Sequence, residues 1–191
     1  MPFKRPLTLL FFSIVLMACN LFSSSAVTPT ATPAPTLQPS ASPRASIDPR
    51  FQPILPALKA VNIPLRLLPS IEDYPKGSQN ALYVTVLSAA ANGYDLAITL
   101  QPDCSAHICI QGHLIGEVVT NNSVPGTPVA LINNITGYYS PPVCGANCSD
   151  GQLGWIEHNI RYFITMRGDN VALLTRFANA TLAIDQVNAH S

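Results

Sequence analysis

The stretch LGWIEHNIRYFITMR, residues 153–167, decides the fold of this chain. It consists of two short segments rich in apolar and aromatic residues, separated by the dipeptide His-Asn at 158–159. Two such segments on either side of a two-residue turn predict an antiparallel hairpin. Because side chains alternate between the two faces of a strand, Trp155, Tyr162 and Ile164 can share one face of this hairpin.

Further strands are predicted upstream of the hairpin. The dipeptide Asn-Gly at 92–93 is a strong turn signal between two of them. Every connection is too short for the crossover that parallel strands need, so we expect one antiparallel sheet of about six to eight short strands. A brief helix is predicted at 54–61. The predicted strands cover residues 81–88, 94–101, 110–120, 128–133, 137–140, 153–157 and 160–167.

The apolar spacing changes near the end of the chain. Apolar residues at intervals of four and three predict a helix with one stripe that packs on the sheet. Gly168 can end the preceding strand, and Asp169 can cap the helix. The predicted fold class is therefore α+β, a single antiparallel sheet with a C-terminal helix packed on it. The stripe consists of Leu173, Phe177, Ala180, Ile184 and Val187.

The N-terminus carries an export signal. Lys4 and Arg5 precede an apolar run at 7–17, which is too short to cross a membrane as a helix. With the following Leu-Met-Ala-Cys at 16–19, the segment resembles the precursors of bacterial lipoproteins. The resemblance implies that Cys19 receives diacylglycerol and becomes the first residue after cleavage. The protein would then be anchored in the cell membrane or outer membrane, outside the cytoplasm. The alternative is an ordinary signal peptide with an incidental cysteine.

The composition divides the chain into three parts. Residues 1–18 are the predicted signal peptide, and residues 19–49 are a linker rich in Ser, Thr and Pro. Such a linker cannot bury enough apolar surface to fold, and its prolines favour extended polyproline II. We interpret it as a passive spacer between the lipid and the domain. Residues 50–191 have the size of one folded domain.

Four cysteines lie in this domain, namely Cys104, Cys109, Cys144 and Cys148. An even number of cysteines in an exported domain indicates disulfides. We favour the pairs 104–109 and 144–148, because each pair lies within one loop. Crossed pairings remain an alternative and would constrain the unfolded chain more. A four-cysteine zinc site is also possible by spacing, with His107 and His113 nearby. Because thiols tend to oxidise outside the cytoplasm, we expect disulfides, with no metal and no cofactor.

The charge pattern disfavours two kinds of partner. The chain has ten basic and ten acidic residues, and loss of Lys4 and Arg5 with the signal leaves eight basic residues and a net charge of −2. Only 10% of the residues are charged, well below the usual ~25%. Without a basic stripe, nucleic-acid binding and electrostatic docking on anionic lipid are both disfavoured.

A second resemblance covers the segment from Cys144 to the C-terminus. Trp155, Tyr162 and the helix at 173–180 look like the hairpin and helix of uncharacterised bacterial envelope domains. The resemblance implies a sheet with a packed helix and implies no activity.

Catalytic patterns are sparse in this sequence. Asp103 and His107 flank the first cysteine loop and could form an acid/base pair, although a solvated loop is the favoured interpretation. His113 and Glu117 on one strand would lie ~13 Å apart, too far to act together. The adhesion tripeptide Arg-Gly-Asp at 167–169 falls where a strand ends and a helix begins, which favours a structural role.

We therefore expect a non-enzymatic envelope module that binds a protein, a glycan or a small apolar ligand. Its candidate binding residues are the aromatic side chains Tyr138, Tyr139, Trp155 and Tyr162. Its other partner is the membrane, through the lipid on Cys19. The alternative function is an unrecognised envelope hydrolase.

Overall fold

The sheet of this protein is antiparallel throughout and forms a two-layer α+β fold. The computed structural model describes residues 46–76, 81–121 and 123–184. The strands are β1 (Tyr83–Ala90), β2 (Gly93–Thr99), β3 (Ile110–Val118), β4 (Thr127–Ala130), β5 (Thr136–Ser140), β6 (Gly151–Glu157) and β7 (Ile160–Met166), and the helix is α1 (Val171–Ala183). The seven strands are arranged in the order β1-β2-β3-β7-β6-β5-β4. The predicted fold class, including the helix packed on the sheet, is confirmed.

The β6–β7 hairpin has the predicted turn and the predicted inner face. His158 and Asn159 have φ angles of 52° and 63°, the left-handed conformation that a two-residue hairpin turn requires. Trp155 pairs with Tyr162 across the strands, and their rings stack with centroids 5.5 Å apart. These two side chains and Ile164 are almost completely buried on the same face.

The β1–β2 hairpin differs slightly from its prediction. Ala90 pairs with Gly93, so the turn residues are Ala91 and Asn92 rather than Asn92 and Gly93. The register of β1 shifts between Val86 and Ser88, which marks a β-bulge. Strand β1 also begins and ends two residues later than the sequence predicted.

The core lies between one face of the sheet and a layer made of α1 and the segment before β1. That segment contains a 3-10 helix, Pro49–Leu58, and an extended run at 61–71. Pro53 and Pro56 lie inside this helix and lack the amide hydrogens that a regular α-helix needs, and Pro49 stands at its first position, where a proline is tolerated. The helix begins earlier than predicted. Tyr74 stacks on Phe177 of α1 with ring centroids 4.8 Å apart.

The folded domain includes residues that the sequence assigned to the linker. Asp48 is 2% exposed, and its carboxylate accepts hydrogen bonds from the backbone amides of Arg50 and Ile71. Burial alone would raise the pKa of Asp48, but hydrogen bonds from Arg50 and Ile71 outweigh burial and lower it. The boundary of the domain therefore lies before Asp48.

Helix α1 lies where it was predicted, but its cap and its buried face differ. Asn170 caps it by accepting a hydrogen bond from Leu173 N at 3.0 Å, and Asp169 does not. Leu173 and Ala180 of the predicted stripe are only partly buried, and Ile184 lies just after the helix. Val187 lies outside the described residues. The helical residues that face the core are Leu174, Phe177, Ala178, Thr181 and Leu182.

The opposite face of the sheet positions the candidate site. Two residues that pair across neighbouring strands have their side chains on the same face of the sheet. Because side chains alternate along each strand, the neighbours of the core residues lie on the opposite face. We call it the open face, and its side chains include Thr85, Asp95, His113, Phe163, Thr165, Gln152 and Tyr138. Of the helices that the structure describes, none is long and apolar enough to cross a membrane.

Candidate functional site

Two disulfide loops stand at one end of the open face. The structure joins Cys104 to Cys109 in the β2–β3 connection and Cys144 to Cys148 in the β5–β6 connection. These are the local pairs that the sequence favoured, and they leave no free thiolate for the crossed or zinc alternatives. A cleft of about 400 Å³ lies beside the loops on the open face. It is lined by Asp95, His107, His113, Ile115, Ser140, Pro141, Val143, Ser149, Asp150, Gln152 and Thr165.

A histidine–aspartate pair forms the floor of this cleft. Asp95 on β2 lies diagonally across from His113 on β3, since the register pairs His113 with Ala97. The Nδ1 atom of His113 is 2.8 Å from Oδ1 of Asp95, and the side chains are 22% and 29% exposed. The hydrogen bond to Asp95 raises the pKa of His113, although burial alone would lower it. The negative charge of Asp150 also raises this pKa. The Nε2 atom of the ring is not used by this pair.

Thr165 fixes the backbone beneath the histidine. The regular pairing of β3 with β7 ends at Leu114, and the amide of His113 donates instead to Oγ1 of Thr165 at 2.9 Å. The same hydroxyl donates to Oδ2 of Asp150 at 3.3 Å. Thr165 is 8% exposed, so it links His113 to the second carboxylate of the cleft from a buried position. These contacts give the floor of the cleft a fixed geometry.

Glycine is needed next to the histidine. A Cβ atom at Gly112 would overlap the carbonyl oxygen of Thr165 and would lie 2.6 Å from the ring of Tyr74. Because residue 112 has no side chain, β3 and β7 can lie close together where their regular pairing ends. Gly112 therefore contributes to the position of His113.

The Arg-Gly-Asp tripeptide makes structural contacts after the end of β7. The guanidinium of Arg167 donates to the carbonyl oxygens of His107 at 2.7 Å and Ile108 at 3.4 Å, which anchors the first disulfide loop. Asp169 accepts a hydrogen bond from the hydroxyl of Tyr139. Gly168 between them has a φ of 90°, a conformation that favours glycine. The tripeptide thus has the structural role that its position favoured.

The predicted acid/base pair is not assembled as expected. His107 lines the cleft, but Asp103 is absent from the lining in the described part of the chain. Asp103 is exposed and has a φ of 54°, as a loop residue in a left-handed turn. Glu117 likewise does not act with His113, because it binds Arg161 with an Nη2–Oε1 distance of 2.6 Å. The carboxylate–imidazole pair in the cleft is therefore Asp95 with His113, and not Asp103 with His107 as the sequence suggested.

The predicted aromatic binding residues do not form one surface. Trp155, Tyr162 and Tyr139 are 0%, 1% and 9% exposed and pack on the core side of the sheet. They are core residues because their strands turn this face toward α1 and the N-terminal segment. Tyr138 alone points to the open face, where it lines a separate hollow of about 350 Å³ with Ile135 and Ile156. The expectation of an aromatic binding surface is corrected accordingly.

Sequence reasoning did not identify Asp95, Asp150 or Thr165. A signal for Asp95 exists, because it alternates with the buried Tyr94 and Leu96 and must lie on the opposite face. The contact between Asp95 and His113 depends on the register across a loop closed by a disulfide, which no local pattern specifies. Cys19, the predicted lipidation site, and His190 lie outside the described residues.

Neither a metal site among the described residues nor a known relative points to the function of this chain. Within the ranges that the structure describes, no group of three or more His, Cys, Asp and Glu side chains could hold a metal ion. Comparison of the chain with protein-family models, curated proteins and solved structures finds no match in any of the three.

Proposed function

We propose that this chain is a lipid-anchored cell-envelope protein whose folded domain binds a glycan in the cleft above Asp95 and His113. The observation that carries the proposal is the set of fixed polar groups on the floor of the cleft, framed by two disulfide loops. A preformed hollow with a few convergent polar groups is the usual form of a small-ligand site, and about 400 Å³ falls in the range of such sites.

The lining favours a ligand rich in hydroxyl groups. The carboxylates of Asp95 and Asp150 accept hydrogen bonds, and the amide of Gln152 can both donate and accept. Pro141 and Val143, just before the second disulfide loop, supply apolar contact for the C–H surface of a sugar ring. A purely apolar ligand would remove water from the carboxylates without supplying hydrogen-bond donors to their remaining lone pairs, which is costly. A glycan thus matches the cleft better than a small apolar ligand does.

The hydroxyl groups of the cleft support binding more than covalent catalysis. Ser140 Oγ donates to Pro125 O at 3.2 Å, and Ser149 Oγ accepts from Val143 N at 2.9 Å. Thr165 Oγ1 accepts from the His113 amide and donates to Asp150. All three hydroxyls thus have structural partners, and in the described residues none of them is hydrogen-bonded to the imidazole. Nucleophile activation of the kind that serine hydrolases use needs that contact.

A hydrolase remains the second candidate because of one observation. Asp95 orients the ring of His113, and such a pair can serve as a general base toward a bound water. A screen of hydrolase substrates against the purified full chain separates the two functions. Turnover that His113→Gln abolishes, and that His107→Ala leaves in place, would assign catalysis to this pair and overturn the binding proposal.

The direct test of binding uses an array of bacterial envelope glycans probed with the purified full chain. Asp150→Asn should weaken binding by about ten- to a hundredfold, because a hydrogen bond to a charged group contributes about 1.5–3 kcal/mol. Asp73→Asn is the matched control, since Asp73 is exposed and pairs with Arg176 away from the cleft. Absence of binding to any glycan, or equal binding by both variants, would contradict the proposal.

The proposed location rests on the N-terminus rather than on the cleft. The apolar run at 7–17 followed by Cys19 supports lipid anchoring, and the Ser-, Thr- and Pro-rich linker supports a domain held away from the membrane. Two disulfides are compatible with an oxidising compartment.

A further inference from the structure

The cleft of the candidate site holds many hydrogen-bond acceptors and few free donors. The ionised carboxylates of Asp95 and Asp150 only accept, and no lysine or arginine is among the described residues that line the cleft. The hydroxyl of Thr165 donates to Asp150, and that of Ser140 donates to a backbone carbonyl. A sugar hydroxyl donates one hydrogen and also accepts, so a bound glycan needs donors as well as acceptors. A further donor in this cleft would therefore strengthen glycan binding.

The ring of His113 can supply that donor. Its Nδ1 atom is 2.8 Å from Oδ1 of Asp95. Because an ionised carboxylate accepts only, Nδ1 carries a hydrogen whether the ring is neutral or protonated. Nε2 makes no hydrogen bond with the described residues and is not among their buried polar atoms that lack a partner, so it is open to the cleft that His113 lines. Nε2 accepts when the ring is neutral and donates when the ring is protonated.

The titratable groups around the ring favour its protonated form. Asp95 contacts it from β2, and Asp150 lines the same cleft from the segment before β6. The hydrogen bond to Asp95 and the negative charges of both carboxylates raise the pKa of the ring, although burial opposes them. His107 is the other titratable group of the described lining, and Arg167, which follows β7, donates to carbonyl oxygens of the first disulfide loop. Protonation thus leaves the contact with Asp95 in place and changes the role of Nε2.

We infer that protonation of His113 converts the cleft to its tight-binding state, in which Nε2 donates to a hydroxyl oxygen of the glycan while Asp150 accepts a sugar hydroxyl hydrogen. The inference rests on the proposed glycan binding. When the ring is neutral, Nε2 competes with the carboxylates for the same hydroxyl hydrogens, and the charged donor is lost. Hydrogen bonds to charged groups are roughly twice as strong as neutral ones. We therefore expect the protonated state to bind about five- to tenfold more tightly.

The two carboxylates also restrict the class of glycan. Asp95 and Asp150 place two negative charges in the cleft against the one positive charge of protonated His113. An anionic sugar would be repelled by this excess, because like charges in one site cost free energy. An uncharged glycan meets no such repulsion. Since it has no titratable group of its own, any pH dependence of its binding belongs to the protein.

Binding of the full chain to the uncharged members of the envelope-glycan array tests the inference. Binding should be about five- to tenfold stronger at about pH 5.5 than at about pH 9, since these values lie below and well above the ordinary histidine pKa. His113→Gln keeps a side chain that donates and accepts but does not titrate, so it should lose most of this difference. His158→Asn is the matched control, because His158 lies in the β6–β7 turn and asparagine tolerates its φ of 52°. This control should keep the full difference.

A second measurement uses the native protein and needs no variant. If protonation of His113 strengthens binding, glycan binding must strengthen protonation by the same factor. Saturation with the uncharged glycan that binds most tightly on the array should therefore raise the pKa of His113 by about 0.7 to 1. Proton NMR titration of the histidine rings, with and without the glycan, measures this change. It decides the question even if His113→Gln disturbs folding.

Three results would overturn the inference while leaving the binding proposal in place. The first is equal or stronger binding of uncharged glycans at about pH 9, or binding of anionic glycans alone. The second is a pKa of His113 that the bound glycan leaves unchanged. The third is a full pH response in His113→Gln, which would assign the effect to His107. Absence of binding to every glycan at both pH values would contradict the binding proposal itself, and the inference would fall with it.

Discussion

Arg66 and Glu157 form a largely buried ion pair that fastens the segment before β1 to the sheet. Nη2 of Arg66 lies 2.6 Å and 2.5 Å from the two carboxylate oxygens of Glu157, and the side chains are 7% and 18% exposed. Nη1 also donates to the carbonyl of Thr181 in the last turn of α1 at 3.3 Å. The backbone amide of Arg66 donates to the hydroxyl of Tyr94 at 2.9 Å. One residue thus connects three parts of the fold.

Removal of the Arg66 side-chain charge should therefore destabilise the whole domain. We expect Arg66→Met to lower the free energy of unfolding by about 3–5 kcal/mol, because it leaves Glu157 buried without its partner. Urea denaturation of the purified protein measures the change. Arg176→Met is the control: Arg176 and Asp73 are 61% and 56% exposed, and such a pair contributes about 0–1 kcal/mol. Equal losses in the two variants would show that the Arg66 contact is not specific.

Gly112→Ala should destabilise the sheet beside the cleft. The added methyl group would meet the backbone of Thr165, which cannot move as a flexible side chain could, so we expect a loss of about 1–3 kcal/mol. Gly145→Ala in the second disulfide loop is the matched substitution, because a Cβ there meets nothing within 4 Å. Thermal or urea unfolding of both variants checks the difference. A neutral Gly112→Ala would contradict the close contact between β3 and β7.

Asp95→Asn should lower the pKa of His113 toward the ordinary histidine value of about 6.5. The hydrogen bond to Asp95 is the main cause of the raised pKa, and the amide cannot replace its charge. A proton NMR titration of the histidine rings measures the effect. If the pKa of His113 is the same in Asp95→Asn as in the native protein, Asp95 is not the cause of the raised pKa.

The same pair predicts the pH dependence of stability. A pKa that is raised in the folded state means that the protonated histidine is stabilised by folding. This contribution is fully present below the unfolded value of about 6.5, and it is lost as the pH rises through the folded value. The difference in stability between the native protein and Asp95→Asn should accordingly be larger near pH 6 than at alkaline pH. The opposite trend in urea denaturation would contradict the assignment.

Cys19→Ser should abolish membrane partitioning in detergent phase separation. Attached acyl chains hold a protein in the detergent phase, since each buried CH₂ contributes about 0.8 kcal/mol. Met17→Ala serves as the control, because it keeps the cysteine and should leave partitioning intact. A Cys19→Ser protein that stays in the detergent phase would show that the anchor lies elsewhere.

The sheet could be predicted from the sequence because its signals are local. Alternation around the turn at 158–159 placed Trp155 and Tyr162 on one face, and the structure confirms that face as the core. The same alternation cannot say whether an aromatic face meets a helix or a ligand. Trp and Tyr suit both environments, having a large apolar body and a polar tip. Their burial became clear only with the layer that covers them.

The buried face and the capping residue of α1 also could not be predicted from the sequence. Its sequence VALLTRFANATLA is apolar over much of its circumference, so spacing alone did not decide between the stripe through Leu173 and the one through Leu174. Asp169 and Asn170 are both good capping residues, and the choice depends on Tyr139, which engages Asp169 from a distant strand.

The cleft was the least predictable feature, because it depends on contacts between segments far apart in the chain. Asp95 and His113 are 18 residues apart, and Thr165 joins His113 from 52 residues away. Each lies on a strand whose existence was predicted, but their meeting depends on strand registers and on the irregular β3–β7 pairing. Local patterns carry no information on either.

Histidine NMR gives the most direct test of the proposed binding site. The chain has four histidines, of which His107 and His113 line the cleft and His158 lies in the β6–β7 turn. Titration of the full chain with the glycan selected on the array should shift the ring signals of His113 and His107 and leave those of His158 unchanged. Shifts at His158 with none at His113 would place binding elsewhere and contradict the account.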